Sequence, residues 1–403
     1  MTTMQLRFKD PQFAFQFLRV LGSTATRQCD VGEAWQTAER IVDGDFESWA
    51  REWSRTAARL EATADACLAA GHRVSASDTY LRATNYYRAA EFYLHGNSGD
   101  PRILEFSSKS ARCFEAALAN GDQPHEFVAI PYEGTTLPGV FYPAANERRR
   151  TLIVNTGFDG TVDGLLPWAK AATRRGWHCL TFEGPGQGRV IRRQGLPFRP
   201  DWERVIASVI DHLVARPIVD SERIALLGAS FGGYLAPRAA AFEHRIAACV
   251  ANGGVMSFLG ARIPKGVTRE QFVHAILHQP EQVNAAMREA ATRSPEARWG
   301  QENGMYTFGA STPAEWLKKA LDYDLTDVAA QIRCPMLVVD VEKENGFSGE
   351  ARKLFDALTC PKTWCYFSDE EGAGDHCQTG SPSLGQQRIF DWLEETLRPG
   401  LPC

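Results

Sequence analysis

Six short apolar runs between residues 151 and 368 alternate with segments of helical character, and this alternation restricts the possible folds more than any other feature. Short apolar strands separated by helices are typical of a mostly parallel sheet whose faces are covered by helices. We therefore predict an α/β domain over residues 122–403. Its predicted strands are TLIVNT (151–156), WHCLTF (177–182), RIALLG (223–228), AACVAN (247–252), PMLVVDV (335–341) and KTWCYFS (362–368).

Residues 1–121 follow a different pattern and are predicted to form a helical N-terminal domain. In one segment, apolar side chains that include Trp49 and Trp53 recur at steps of three and four residues, the period of an amphipathic helix. A second helical segment, SASDTYLRATNYYRAAEFYLHG, begins with serines that are candidate caps, and a third covers residues 101–120. Nothing in this part of the sequence alternates with a period of two residues.

Two segments depart from the alternation of strands and helices. Residues 126–144, EFVAIPYEGTTLPGVFYPA, have the pattern of two short strands joined by a Glu-Gly turn, which indicates a hairpin. Residues 255–330 contain helical stretches but no predicted strand. An insertion of this size between two core strands commonly forms a lid over a pocket, and we predict a helical lid here.

Composition and charge exclude several classes of protein. The 403 residues include 44 basic and 49 acidic side chains without long blocks of one sign, so nothing favours nucleic acid or an anionic membrane as a partner. No stretch approaches the roughly 18 apolar residues that a membrane span needs, and the N-terminus does not resemble a signal peptide. The ten dispersed cysteines contain no CxxC pair, which predicts reduced thiols in a cytoplasmic protein and no metal site.

The sequence GASFGG places Ser230 where the predicted strand 223–228 passes into a predicted helix. A nucleophile elbow is a strained turn of this kind, and it needs small residues two positions before and after the serine. Gly228 and Gly232 meet that requirement. A phosphate-binding loop would instead require a lysine, which this segment lacks. We therefore predict that Ser230 is a nucleophile.

A serine nucleophile needs a histidine base and an acid that orients the histidine. His376 is the only histidine after position 278, and it follows the last predicted strand. The acid is expected just after the strand 335–341, where the sequence VDVEKENG offers three carboxylates. Glu344 stands where the acid of such a triad commonly lies, and Glu342 and Asp340 remain alternatives.

The tetrahedral intermediate of acyl transfer requires an oxyanion hole made of two backbone N–H groups. The residue after the nucleophile, Phe231, supplies one of them in sites of this type. The loop NTGFDGT after the first parallel strand supplies the other, and Phe158 is the best candidate in it. The nearby glycine-rich loop FEGPGQGR is interpreted as structural.

Four segments together resemble one group of α/β-hydrolases. They are SASDTYLRATNYYRAAEFYL, NTGFDGT, GASFGGYLAPRAA and EEGAGDHCQ. The group includes 2,6-dihydroxypseudooxynicotine hydrolase, the FrsA-like esterases and the fungal polyketide hydrolases of the yellowish-green type. The resemblance extends over nearly the whole chain from about residue 45, and it implies an α/β-hydrolase fold with a helical N-terminal domain.

The resemblance also implies an activity. Members of the group use a serine triad beneath a helical domain to cleave esters, or carbon–carbon bonds in β-diketone-like molecules, without a cofactor. Ser230 and His376 match the group's motifs, whereas Glu344 replaces the usual aspartate. The segment GARIPKG has no acid to match an additional pocket carboxylate of the pseudooxynicotine enzyme, so that substrate is not expected.

Several functional alternatives remain open at this point. A carboxylesterase, a thioesterase or an acyltransferase would share the same acyl-enzyme, and a catalytically silent fold that binds a small molecule is a hypothesis of another class. The expected partner is a small-molecule substrate, and a homodimer is possible. Candidate pocket residues in the helical domain, for which ordinary helix packing is the competing explanation, are Trp53, Tyr80, Arg82, Tyr86 and Tyr87.

Overall fold

The computed structural model describes residues 7–398, and its N-terminal part is helical as predicted. The three predicted helices form, and two shorter helices precede them. Four of these five helices begin directly after an aspartate whose side chain accepts a backbone N–H of the first turn. The helices are α1 (Pro11–Gly22), α2 (Val31–Ala38), α3 (Phe46–Ala69), α4 (Arg73–Glu91) and α5 (Pro101–Asn120).

The prediction that serines cap the fourth helix is wrong. Helix α4 begins at Arg73, before the first serine of the segment, and its cap residue His72 makes no capping bond through its side chain. Its first three residues are exposed, whereas most of its residues from Ala76 onward are buried, so packing of the later turns rather than a side-chain cap stabilises this helix.

The sheet of the second part has eight strands in the order β1-β2-β4-β3-β5-β6-β7-β8. The predicted hairpin forms from β1 and β2, and all six apolar runs become strands. Pairs among β3 to β8 are parallel, whereas β2 pairs antiparallel with both β1 and β4. The strands are β1 (Glu126–Tyr132), β2 (Thr135–Tyr142), β3 (Arg149–Asn155), β4 (His178–Phe182), β5 (Val219–Ala229), β6 (Ala248–Asn252), β7 (Met336–Val341) and β8 (Lys362–Phe367).

The remaining helices lie between or after these strands. Every residue of β4 and β6 is buried, as expected for strands whose two faces are both covered. Four helices lie in the predicted insertion 255–330, namely α9 (Arg269–His278), α10 (Pro280–Arg293), α11 (Pro295–Phe308) and α12 (Pro313–Ala320). The others are α6 (Leu166–Arg174), α7 (Glu203–Val214), α8 (Gly232–Ala240), α13 (Glu350–Ala357) and α14 (Pro382–Thr396).

The chain divides into two compact units that differ from the contiguous domains drawn from the sequence. The first unit extends to residue 123 and also includes residues 192–194 and 285–306. The second contains the sheet and the rest of the chain. The predicted insertion is therefore split, because residues 285–306, which form most of its two central helices, belong to the first unit. In the range 7–398, no helix combines the length and the apolar character that crossing a bilayer requires.

A buried charge network joins the three chain segments of the first unit. Arg192 donates to both carboxylate oxygens of Glu91 at 2.8 Å. His95 lies 2.7 Å from Glu91 through Nε2 and 2.7 Å from Asn303 through Nδ1, and its ring stacks on Tyr306. Burial opposes the charge of Glu91, but Arg192 and His95 outweigh it and lower the pKa of the carboxyl group far below its usual value.

Removal of the Arg192 guanidinium should destabilise the protein strongly. We expect Arg192→Met to lower the free energy of unfolding in urea by about 3–5 kcal/mol, because Glu91 would be left as an unpaired buried charge. The double variant Arg192→Met/Glu91→Gln should regain much of the loss. As a control, Arg293→Met breaks an exposed pair with Glu289 and should leave the unfolding midpoint nearly unchanged. Equal effects of Arg192→Met and Arg293→Met would contradict this account.

Candidate active site

Ser230 occupies a tight turn between β5 and α8. Its φ of 62° lies in the left-handed region, which residues other than glycine rarely adopt. The Ser230 N–H donates to the carbonyl oxygen of Asn252 at 2.9 Å, which fixes the turn to the end of β6. The serine is thus held in a strained conformation at the carboxyl edge of the parallel strands, where open α/β sheets bind ligands.

Gly228 and Gly232 are required by packing rather than by backbone angle. A Cβ atom at Gly228 would lie 1.9 Å from the carbonyl oxygen of Gly232, and one at Gly232 would lie 2.8 Å from the carbonyl oxygen of Asn155. Neither distance leaves room for a side chain. The two glycines therefore allow helix α8 and strand β3 to approach the turn that carries Ser230.

His376 and Glu344 form a close pair in the loops after β8 and β7. The Nδ1 atom of His376 lies 2.5 Å from Oε2 of Glu344. The other carboxylate oxygen accepts the backbone N–H groups of Gly346 and Phe347, both at 3.1 Å. Glu344 is thereby fixed at both oxygens, and only 7% of its side chain is exposed.

Of the three candidate acids, Glu344 is the one that is hydrogen-bonded to His376. Asp340 lies within β7, and its side chain accepts the N–H of the next residue, Val341. Glu342 is exposed and accepts the N–H of Asp369 at 2.7 Å. The carboxylates of Asp340 and Glu342 therefore accept hydrogen bonds from backbone N–H groups.

The charges of this pair stabilise each other. Burial disfavours the imidazolium of His376, but the Cys377 sulfur and the Glu344 carboxylate outweigh it and raise the pKa of His376 well above its usual value. Burial likewise opposes ionisation of Glu344, yet His376 and the two backbone N–H groups lower the pKa of this carboxyl group. The geometry thus favours an ionised acid beside a strongly basic imidazole.

The other nitrogen of His376 faces the turn that carries Ser230. The Sγ atom of Cys377 lies 3.5 Å from His376 Nε2 and 3.1 Å from the Ser230 backbone nitrogen, whose N–H it accepts. A Cβ atom at Gly253 would lie 3.4 Å from His376 Cε1 and 3.7 Å from Ser230 Cα. Serine and histidine therefore border the same small space, and the histidine can accept a proton there.

The loop after β3 lies directly against this turn. A Cβ atom at Gly157 would lie 2.7 Å from the Phe231 nitrogen and 2.9 Å from Ser230 Cβ. The side chains of Phe158 and Phe231 are both buried, with ring centroids 6.4 Å apart. The chain segment with the Phe158 amide is thus brought beside the serine and the Phe231 amide.

Two residues that the sequence analysis did not single out support the site. The buried side chain of Gln187 donates to the carbonyl oxygens of Thr156 and Gly157 at 2.8 and 3.2 Å, so it holds the loop after β3. Cys377 contacts both Ser230 and His376, as described above. Its position next to His376 in the sequence was a usable signal, whereas the contact of Gln187 spans about thirty residues.

The five candidate pocket residues lie in the first unit and take part in its packing. Trp53 is fully buried against Tyr86, with ring centroids 5.1 Å apart. The polar atoms of the others are bonded within the unit. Tyr80 donates to Asp65, Tyr87 to Glu61 at 2.5 Å, Tyr86 to Glu33 at 3.2 Å, and Arg82 to Glu33 at 3.0 Å. Packing explains all five, and a role in a pocket stays a prediction.

Across residues 7–398, no cluster of three or more His, Cys, Asp or Glu residues could hold a metal ion. The nine cysteines in this range are free; four are buried and five, including Cys377, are half-buried. Cys403 lies outside the described residues.

Comparisons with known families match most of the chain. The family model described as "Alpha/beta hydrolase family" matches residues 155–377. A second, described as "Esterase FrsA-like", matches residues 26–265. Together they cover residues 26–377, which include most of the helical unit as well as Ser230 and His376.

Curated relatives are similar over almost their full length. The hydrolase LUC6 of a Fusarium species is 34% identical, with 96% of this chain and 97% of that protein aligned. The 20-hydroxy-prefusarin hydrolase FUS2 of Gibberella moniliformis is 33% identical, with 96% and 97% aligned. Among solved structures, 2,6-dihydroxy-pseudo-oxynicotine hydrolase has a TM-score of 0.74 at 19% identity and covers 94% of this chain and 96% of its own, which shows a shared fold.

The lack of space at Gly228 can be tested by measuring the free energy of unfolding of a variant with a larger side chain. We expect Gly228→Ala to lower the free energy of unfolding by about 1–3 kcal/mol, because the new methyl group must displace the Gly232 backbone. Gly300→Ala is the matched control, since a Cβ atom there meets nothing within 4 Å in helix α11. That variant should be as stable as the original protein or more so. Tolerance of both substitutions in urea unfolding would contradict the proposed packing of the turn.

Proposed function

Because this chain belongs to the alpha/beta hydrolase family, we propose that it is a serine hydrolase with Ser230 as nucleophile, His376 as base and Glu344 as orienting acid. The observation that carries the proposal is the 2.5 Å contact between His376 Nδ1 and Glu344 Oε2, with the opposite ring nitrogen facing the strained turn at Ser230. The proposed order is nucleophile, base and acid, which is the order that acyl transfer needs.

In the first step, Ser230 Oγ attacks a carbonyl carbon of the substrate while His376 Nε2 accepts the hydroxyl proton. The carbonyl oxygen becomes an oxyanion, and the N–H groups of Phe158 and Phe231 donate to it. Glu344 accepts the Nδ1–H of the imidazolium and stabilises its positive charge. The raised pKa of His376 favours this proton transfer.

In the second step, the tetrahedral intermediate collapses to an acyl-enzyme. The bond to the leaving group breaks, and its electron pair goes to an alkoxide oxygen or, in a β-diketone, to the carbon of an enolate. His376 returns the proton to that group. A water molecule then attacks the acyl carbon and gives a proton to His376. When the bond between the acyl carbon and Ser230 Oγ breaks, His376 passes this proton to Ser230 Oγ and the acid is released. The net change is addition of one water across the cleaved bond.

We infer that the substrate is a small molecule, namely a β-diketone-like or polyketide-like compound or an ester. The names of 20-hydroxy-prefusarin hydrolase and 2,6-dihydroxy-pseudo-oxynicotine hydrolase support this class, since both denote hydrolases of small molecules. Carbon–carbon cleavage, ester or thioester hydrolysis and acyl transfer share the acyl-enzyme. Product analysis separates them, because a diketone gives an acid and a ketone whereas an ester gives an acid and an alcohol.

The nucleophile can be tested with a fluorophosphonate that traps activated serines. Incubation of the protein should add one phosphonyl group, detected by intact mass. Ser230→Ala should gain none, whereas Ser208→Ala, which changes a serine on helix α7, should react like the original protein. Labelling of Ser230→Ala would refute the assignment, and absence of labelling on every variant would favour a fold that binds a ligand without catalysis.

The contact between His376 and Glu344 predicts how kcat/KM depends on pH and how that dependence changes when the carboxylate is removed. The neutral imidazole is the base, so kcat/KM for an activated ester should rise with pH through the raised pKa of His376 and fall below it. Glu344→Gln removes the carboxylate, which should move the acid limb to lower pH and lower the plateau by about 10²- to 10⁴-fold.

Glu342→Gln is the matched control for this experiment. It changes an exposed carboxylate two residues away, and its amide oxygen can still accept the Asp369 N–H. Its pH profile should therefore coincide with that of the original protein. An acid limb that stays in place in Glu344→Gln would show that another group sets the pKa of His376.

A further inference from the structure

A single guanidinium group lies among the aromatic rings beside the proposed triad. Arg262 ends a short 3₁₀ turn that follows β6. Its guanidinium carbon lies 3.6 Å from the centroid of the Phe258 ring. The centroids of Phe347, Trp316 and Phe158 follow at 5.3, 5.6 and 6.0 Å. Four aromatic rings thus surround one cation.

These rings also border the residues of the proposed site. The ring of Phe347 lies 6.2 Å from that of His376, and the ring of Phe258 lies 4.4 Å from that of Phe231. Phe158 carries one of the proposed oxyanion N–H groups. The rings around the Arg262 guanidinium group therefore also lie next to His376 and next to Phe231, whose N–H group is the other proposed oxyanion donor.

Arg262 has few partners of its own. It donates one hydrogen bond, from Nη1 to the Phe258 carbonyl oxygen at 2.6 Å. Within residues 7–398, no carboxylate oxygen lies within the 4.0 Å of an ion pair with it. A guanidinium group carries five N–H donors, so most of them are not used by described protein groups.

Two other arginines of the same unit are paired with carboxylates. Arg269, seven residues further along the chain, is paired with Asp324, and Arg238 is paired with Glu203 through two bonds of 2.9 Å. The acid whose charge acts on Arg262 is Glu350, but its oxygens already accept the Ser257 N–H and the Lys353 ammonium group.

The surroundings make an unpaired cation costly. Burial lowers the pKa of Arg262 to about 9, and Glu350 offsets this only in part. Aromatic faces attract a cation, yet they do not replace hydrogen-bond acceptors for its N–H groups. Arg262 is half-buried, and an anion that accepts from its free N–H groups would offset part of that cost. A planar pair of oxygens suits the fork of a guanidinium group.

From this geometry we propose that Arg262 binds an anionic, planar pair of oxygens on the substrate, next to the acyl carbon that Ser230 attacks. This inference rests on the proposed function and narrows it. The substrate class is an acyl compound that carries a carboxylate, or a β-dicarbonyl compound that binds as its enolate and takes up a proton from water at its central carbon before Ser230 attacks a carbonyl carbon. Both present the same chemistry to a guanidinium group, which makes Arg262 a specificity-determining residue.

The test compares anionic with neutral substrates of similar shape. For the carboxylate, the pair is mono-(para-nitrophenyl) glutarate and para-nitrophenyl pentanoate. For the enolate, the pair is 1-phenyl-1,3-butanedione and its 2,2-dimethyl derivative, which cannot ionise between the carbonyl groups. The measured quantity is the ratio of kcat/KM for the anionic member to that for the neutral member. The pair with the larger ratio identifies the source of the anion.

In Arg262→Met this ratio should fall by about 10- to 100-fold for one of the pairs, since a hydrogen-bonded charge is lost. Arg262→Lys should retain part of the preference, because it keeps the charge without the planar fork. Lys265→Met removes an exposed positive charge three residues away and should keep the ratio within about twofold. Circular dichroism melting of each variant establishes that it is folded.

A ratio that is equal in the original protein and in Arg262→Met overturns the inference and leaves the proposed function intact. If no substrate is turned over and the fluorophosphonate does not label Ser230, the proposed function fails instead. Titration calorimetry then tests Arg262 without catalysis, with glutarate and acetylacetonate as probes. Equal affinity, or no binding, in Ser230→Ala and Ser230→Ala/Arg262→Met overturns the inference, and weaker binding in the double variant supports it.

Discussion

Backbone atoms of three chain segments meet around Ser230 at distances that leave no room for side chains, and the rest of the site depends on this contact. Glycines at 157, 228 and 232 allow the loop after β3, the end of β5 and the start of α8 to touch. The parallel register of the strands brings these segments to one edge of the sheet. Rigid close packing of backbone, rather than any single hydrogen bond, sets where the serine side chain and the nearby N–H groups lie.

The histidine is positioned by a second, electrostatic constraint. His376 and Glu344 come from loops after adjacent parallel strands, so the sheet brings them together although 32 positions separate them. Backbone N–H groups fix the carboxylate, and the carboxylate fixes the ring. Cys377 then ties the histidine turn to the serine turn through its sulfur. The turns that carry Ser230 and His376 are therefore held together by the Cys377 sulfur, which takes no part in the proposed bond changes.

The sequence predicted those features that depend on local pattern. The strands, the Glu-Gly hairpin and the turn at Ser230 are each encoded within about ten residues, so periodicity and glycine spacing were sufficient. The acid remained open because three carboxylates stand within five positions, and only the three-dimensional path of the loop separates them. Arg262 carried no signal, since its aromatic neighbours are distributed over about 190 residues. The division of the insertion 255–330 also depends on contacts between distant segments.

The discontinuous first unit has a consequence for biosynthesis and for the evolution of the chain. Its helices α1 to α5 emerge first from the ribosome. Glu91 gains its guanidinium partner only when residue 192 has been made, and His95 meets Asn303 later still. The unit therefore stays incomplete during translation of most of the sheet. A recombination event that exchanged the N-terminal 123 residues alone would separate these partners. The helical and sheet portions are thus expected to have been inherited as one piece.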